Sequence, residues 1–206
     1  MIYSDRFVWL HFPKCAGVKI EYLFDKYLSG VRGLHLDAVG IDKDPTIAWH
    51  DGIKQREKRD PNFKLGTRTV ICSFRRLPSW LESRYNFECQ RSSDLPHQPE
   101  LLLDGVFLEY KGHKNNAENY VNRFIPDELL ATAKIRFLRT EFFAHDFKKI
   151  FGEYMDISSI PDWEFEKKIN TSECYLPSEI KEKLYHSHEI YDKCPRWKKI
   201  EKLAYE

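Results

Sequence analysis

The stretch FVWLHFPKCAGVKIEYLFDKYL, residues 7 to 28, decides the fold. Phe7 to Phe12 is a short, nearly continuous apolar run ending at Pro13, the pattern of a strand buried on both faces. From Val18 the period changes. Ile20, Leu23, Phe24, Tyr27 and Leu28 recur at spacings of three and four, so an amphipathic helix is predicted from Val18 to Leu28. Between the two, Pro13, Lys14, Cys15, Ala16 and Gly17 put one basic side chain and small residues in a tight loop at a helix start. Backbone N–H groups free at a helix N-terminus, small residues that let a phosphate approach, and a lysine point charge are what a terminal phosphate or sulfate requires. The same residues also suit a plain strand-to-helix turn with a solvated lysine. The spacing G-x-x-x-x-G-K-[ST] is absent, which argues against an ordinary ATP or GTP site.

The alternation continues outward from this unit. Thr46 to Trp49 reads as a second short strand, Thr69 to Phe74 as a third, and Lys134 to Arg139 as a fourth. Pro78 suits the first turn of a helix running to Phe87 or Glu88, with Leu77, Trp80, Leu81 and Tyr85 inward. Pro126, followed by Asp127 and Glu128, starts another helix, and Thr140 is placed to cap a helix from Glu141 to Ile150. Arg91 to Pro99 reads as a loop. Strands separated by helical segments imply an α/β fold with a central, mainly parallel sheet.

With 206 residues, 42% of them hydrophobic, the chain has enough apolar material for one core and reads as a single domain over 1–206. Lys plus Arg total 33 against 32 for Asp plus Glu, so no global field points to nucleic acid, and any anion site is local. No window of apolar residues is long enough to span a membrane, and Met1 to Arg6 has no charged leader before an apolar stretch. Cys15, Cys72, Cys89, Cys174 and Cys194 are odd in number and widely spaced, so a complete disulfide framework is excluded and a reducing cytoplasm is the simpler setting.

A second constellation follows the third strand. Arg75 and Arg76 come directly after Phe74, and Ser83 lies eight residues beyond Arg75 on the next helix, so a guanidinium fork and a hydroxyl are offered to one phosphate. Two phosphate sites at strand ends suit a doubly phosphorylated nucleotide, since open α/β sheets bind ligands at the carboxyl ends of their strands. The alternative is that the arginines pair with local carboxylates such as Glu82.

HFPKCAGVKIEYLF at 11 to 24 resembles the 5′-phosphosulfate loop of sulfotransferases that use 3′-phosphoadenosine 5′-phosphosulfate (PAPS), commonly Pro-Lys-x-Gly/Ala-Gly-Thr-Ser. FRRLPSWLESRY at 74 to 85 is similar to their 3′-phosphate motif, an arginine followed eight residues later by a serine and then an aromatic. FLRTEFFAHDF at 137 to 147 resembles the Arg-Thr-Glu segment with a following Asp of carbohydrate sulfotransferases. The chain departs from the pattern at Val18 and Lys19, which stand where the family carries Thr-Ser, and at Pro78, one position late. Either Lys19 substitutes charge for the lost hydroxyls or the loop has drifted from the family's use.

The resemblance implies a three-layer α/β/α arrangement similar to P-loop NTPases, and in-line transfer of a sulfuryl group from PAPS to a hydroxyl or amine, with 3′-phosphoadenosine 5′-phosphate (PAP) as product. It implies cofactor contacts from Pro13, Lys14, Cys15, Ala16, Gly17, Val18, Lys19, Arg75 and Ser83. Lys14 would carry the charge developing on the transferred group, so no metal is called for. His50 in IAWHDG is the candidate general base, Glu21 the next, while His11 is expected to point into the core. His50 equally suits a surface position beside Asp51. The acceptor, a carbohydrate among the options, and the oligomeric state are not specified. A small kinase and a nucleotide-binding module without turnover are the alternatives. Cys174, His186, His188 and Cys194 lack zinc-finger spacing. Lys54 to Arg59 reads as a solvated helix face, Trp80 as helix core, and Tyr110 to Phe124 as either a sugar-stacking segment or an ordinary helix.

Overall fold

A computed structural model describes residues 1–37, 50–91, 97–169 and 173–206. In chain order its first half contains β1 (Ile2–Tyr3), β2 (Phe7–Leu10), α1 (Gly17–Leu23), β3 (His35–Leu36), α2 (Ile53–Arg59), β4 (Thr69–Phe74) and α3 (Leu77–Arg91). There follow β5 (Val106–Tyr110), β6 (His113–Asn116), α4 (Ala117–Phe124), α5 (Asp127–Thr132), β7 (Ile135–Arg139), α6 (Phe143–Phe151) and α7 (Asp162–Glu166). The chain closes with α8 (Ser178–His186), α9 (Ile190–Lys193) and α10 (Pro195–Tyr205). These elements form two compact units, one from Met1–Phe74 and Phe124–Ile169, the other from Arg75–Arg123 and Asn170–Glu206.

The first unit is mixed α/β around a five-stranded sheet of order β3-β1-β2-β4-β7. Its long strands are parallel: β2 pairs with β4 from Phe7↔Thr69 to Leu10↔Cys72, and β4 with β7 from Val70↔Ile135 to Phe74↔Arg139. Every residue of β2 and β4 is buried, which is why both read as apolar runs without alternation. At one edge β1 runs antiparallel to both β2 and β3. These two-residue strands are too short to carry a periodic signal, and the expected parallel character holds only for the three longer strands. The strand expected at Thr46 to Trp49 lies outside the described residues.

One face of the sheet is closed by aromatic side chains from three directions. Phe151 meets Phe24 at 4.9 Å, Phe147 at 4.7 Å and Phe7 at 5.7 Å between ring centroids. Phe24, Phe147 and Phe151 are fully buried, each contributing about 1.5–3 kcal/mol by removal from water. Trp9 lies in the same cluster, and its indole N–H donates to Ser73 Oγ at 2.9 Å, satisfying the polar end of a fully buried ring. The helix expected over Val18 to Leu28 is present, but only its first part is α-helical. Phe24–Leu28 widens into a π-helical turn.

Thr140 does not cap a helix. Thr140–Phe142 is a 3₁₀ turn, α6 begins at Phe143, and the Thr140 hydroxyl donates to the Phe74 carbonyl at 3.0 Å. The start of α6 is tied instead by Asp146. Its carboxylate accepts the Arg139 backbone N–H at 2.9 Å and the Arg139 guanidinium at 2.7 and 2.8 Å. Burial pushes this carboxyl upward, but the hydrogen bonds from Arg139 and His145 outweigh it and hold Asp146 below its usual range.

In the second unit, α3 has Pro78 in its first turn as expected and runs on to Arg91. The Leu77 N–H donates to Glu201 Oε2 of α10 at 2.9 Å, so a distant carboxylate serves as the cap. Trp80 is core: it packs on Trp197 at 4.7 Å and on Phe107 at 5.5 Å. Tyr110 to Phe124 is divided between a hairpin and α4. Lys111 and Gly112 both have positive φ, 50° and 76°, the signature of a two-residue turn joining β5 to β6.

Candidate functional site

The loop after β2 has an unusual backbone. Lys14 and Ala16 adopt left-handed conformations, φ 65° and 61°, which L-residues avoid at a cost of roughly 1–2 kcal/mol each. Such conformations turn successive amides toward one side of the chain, the geometry of an anion nest. The Cys15 N–H donates back to the Phe12 carbonyl at 3.3 Å, while Lys19 and Ile20 donate to the Ala16 carbonyl at 3.1 and 3.2 Å and begin α1. Ala16 stands at the N-cap with no side chain able to accept. The amides of Gly17 and Val18 consequently find no acceptor among the described residues. Cys15 is fully buried and anchors the loop from beneath.

Around this loop the first unit assembles three side chains from separate parts of the sequence. His11, only 5% exposed, donates from Nδ1 to Glu21 Oε1 at 2.7 Å, and Glu21 is as deeply buried. The His11 ring stacks on Trp9 at 5.2 Å and meets the His50 ring edge-on at 4.5 Å. His50 Nδ1 lies 3.1 Å from the His11 carbonyl oxygen. A carbonyl only accepts, so Nδ1 carries the proton, and in the neutral ring Nε2 holds the lone pair. Gly17 is required by this packing. A Cβ there would lie 1.9 Å from His11 Nε2, far inside contact distance.

His50 therefore meets His11, whose ring packs against Gly17 of the loop, and His11 is buried as expected. The Glu21 carboxylate is inward and committed to His11. The His11–Glu21 pair spans strand, turn and helix, and no sequence pattern announces it. Lys19 extends away from an anion-facing role: its ammonium donates to the carbonyls of Phe165 and Lys167, the latter at 2.9 Å, and rests 4.8 Å above the Phe143 ring. Burial lowers its pKa, opposed by the charge of Glu164. Val18 is 41% exposed.

Arg75 and Ser83 belong to the second unit. Arg75 donates from Nε to Ser79 Oγ at 3.0 Å, and its carbonyl accepts the Trp197 indole N–H at 3.3 Å. The hydroxyl beside Arg75 is thus that of Ser79, four residues on, where the sequence pattern points to Ser83. Ser83 is half-buried within α3, one turn beyond Ser79. Arg76 pairs with Glu201 at 3.4 Å and lies 4.2 Å from the Tyr205 ring, while Glu82 engages Lys181 at 2.6 Å. The carboxylate that Arg76 meets is thus Glu201 on α10, while Glu82 is engaged by Lys181.

The basic run of α2 is an ion-paired face: Arg56 forms a fork with Asp37 at 2.8 and 2.9 Å, Arg59 reaches Asp51 at 3.2 Å, and Lys54 meets Glu128. Among the described residues no cluster of three or more His, Cys, Asp or Glu is arranged to hold a metal ion, and no helix is long and apolar enough to cross a membrane. Comparison with models of known protein families, with characterised proteins and with solved structures gives no match.

Proposed function

We propose that this chain is a PAPS-dependent sulfotransferase with a three-layer P-loop-like fold. The observation that carries the reading is the loop Pro13–Gly17, where two left-handed residues and an uncapped helix start present backbone amides beside Lys14 at the carboxyl end of a buried parallel strand. A phosphosulfate fits the chemistry of that donor set, backbone amides and one lysine.

PAPS supplies an activated sulfuryl group. In the proposed reaction an acceptor oxygen or nitrogen attacks sulfur, the bond from sulfur to the 5′-phosphate oxygen breaks, and PAP leaves. Lys14 and the loop amides hold the phosphate and meet the negative charge that grows on it. His50 takes the acceptor's proton at Nε2, the nitrogen its contact with the His11 carbonyl leaves unprotonated. Arg75, with Ser83 or Ser79, is assigned the 3′-phosphate on the resemblance of 74 to 85 to the family motif.

A second reading is favoured by Lys19. Its ammonium is held by two backbone carbonyls, so neither it nor Val18 replaces the hydroxyls that the family pattern has here. A module that binds the nucleotide without transferring sulfate would have this arrangement. Calorimetric titration with PAP and with ADP, on the wild type and on Lys14→Ala, Arg75→Ala and Ser83→Ala, tests both. Selective binding of PAP, weakened by the substitutions, supports the cofactor assignment. Labelled PAPS offered with a panel of hydroxyl and amine acceptors then separates transferase from binding module. Equal binding of PAP and ADP, or none, in folded protein refutes both readings.

A further inference from the structure

The pair His11–Glu21 sits outside the roles assigned above, although it is among the best-buried polar pairs of the molecule. Both residues are 5% exposed and their atoms are 2.7 Å apart. Burying such a pair needs a return, since each partner loses water and neither is required to hold α1 on the sheet, where Ile20, Leu23 and Phe24 already pack.

We infer that His11 is the positioning residue for His50, and that Glu21 and Gly17 exist to hold His11 in place. The carbonyl of His11 fixes the proton of His50 on Nδ1, and its imidazole forms the wall against which the His50 ring stands edge-on, 75° between planes. His11 in turn has three fixed sides. Glu21 accepts from Nδ1, Trp9 stacks on one face at an interplanar angle of 28°, and Gly17 leaves the space that the Nε2 edge fills. Glu21 thus acts at two removes from any substrate and is not itself a base. The role of His50 as proton acceptor rests on the sulfotransferase reading, whereas its tautomer and orientation rest on the geometry alone.

The experiment combines two readouts on wild type, Glu21→Ala and Glu21→Gln. Long-range ¹H–¹⁵N correlation spectra of the histidine rings report which nitrogen of His50 carries the proton. Release of PAP from labelled PAPS, with water as the acceptor, reports the rate, and calorimetry with PAP reports binding. The wild type is expected to show His50 protonated on Nδ1. Glu21→Ala should broaden or move the His50 signals toward a tautomer mixture and slow release at least about tenfold, within the range a general base supplies, while PAP binding changes less than about twofold. Glu21→Gln, which keeps an accepting oxygen at the same reach, should stay near wild type.

A wild-type His50 protonated on Nε2 overturns the inference whatever the variants do, including the case in which Glu21→Ala fails to fold. So does a folded Glu21→Ala with unchanged His50 signals, or a Glu21→Gln that falls as far as Glu21→Ala, which would show charge and not positioning at work. If wild-type protein releases no PAP and transfers to no acceptor, the sulfotransferase reading fails, and the spectra alone still decide the positioning of His50.

Discussion

Gly17→Ala sets two physical effects against each other. Gly17 is the first residue of α1 and its φ is not positive, so backbone preference alone makes alanine better there, by about 0.5–1 kcal/mol. Sterics point the other way. The added methyl would lie 1.9, 2.1 and 2.7 Å from three atoms of the His11 ring, and that ring is closed in by Trp9, Glu21 and His50. Making room means either forcing an over-packed contact, which costs typically about 1–3 kcal/mol, or swinging the ring off Glu21 and stranding a buried carboxylate, which costs about 1–3 kcal/mol or more. At an approach of 1.9 Å the upper end of that range applies, about 3 kcal/mol, and subtracting the propensity gain leaves a net destabilisation of about 2–2.5 kcal/mol. For a chain of this size each kcal/mol moves the melting temperature by about 2–4 °C, so the variant should melt roughly 4–10 °C lower by scanning calorimetry. Melting at or above the wild-type temperature would refute the reasoning, because propensity would then have won and the His11 ring could not be packed against Gly17 as described.

Three other outcomes follow from contacts in separate places. Glu164 is fully buried and accepts from Tyr22, Tyr27 and Lys26 at 2.9, 2.6 and 2.7 Å. Burial pushes its carboxyl up, but these donors hold it at about 2, so its stabilising contribution is complete above its unfolded value near about 4.3 and is lost as pH falls toward 2. Acid titration of the melting temperature should therefore be shallower in Glu164→Gln than in wild type below about pH 4, and parallel curves would contradict the network. Gly112→Ala at φ 76° should destabilise the hairpin by about 1–2 kcal/mol, seen as faster amide exchange across Tyr110 and His113, and unchanged exchange would exclude the positive-φ turn. Lys14→Ala should weaken PAP about ten- to hundredfold, the loss of one charge-assisted contact, with no comparable effect on the melting temperature of the free protein. Unweakened PAP binding would remove Lys14 from the site.

The fold was legible where side-chain pattern and burial coincide. β2 and β4 are buried on both faces and announce themselves as apolar runs; α1 and α3 follow their apolar spacing; Pro78 and Pro126 mark helix starts because their fixed φ suits a first turn or cap. What escaped was set by partners far away in sequence. β1 and β3 have two residues each and exist only because β2 offers an edge to β1, and β1 to β3. Thr140 has the composition of a cap, yet its hydroxyl turns to the Phe74 carbonyl because β4 runs alongside β7 there. Leu77 and the start of α10 take their caps from Glu201 and Glu118, carboxylates that lie far off in the sequence.

The candidate site divides along the same line. Lys14, Gly17 and the small residues between them are contiguous, so their reading as a candidate oxyanion loop needs only local pattern, whereas the left-handed backbone of Lys14 and Ala16, without the glycines that usually permit it, is seen only in the structure. Maintaining two non-glycine residues there costs free energy that a plain strand-to-helix turn has no reason to spend, which weighs against the bland alternative. His50, by contrast, gains a defined tautomer only through a carbonyl 39 residues earlier, and Glu21 becomes comprehensible only once its neighbour is known to be the His11 ring. In a sequence, Glu21 is one acid in the first turns of a helix, where the dipole alone would account for it. Buried and hydrogen-bonded to an imidazole, it is a different kind of residue, whose removal should be felt at His50 and not at the helix end.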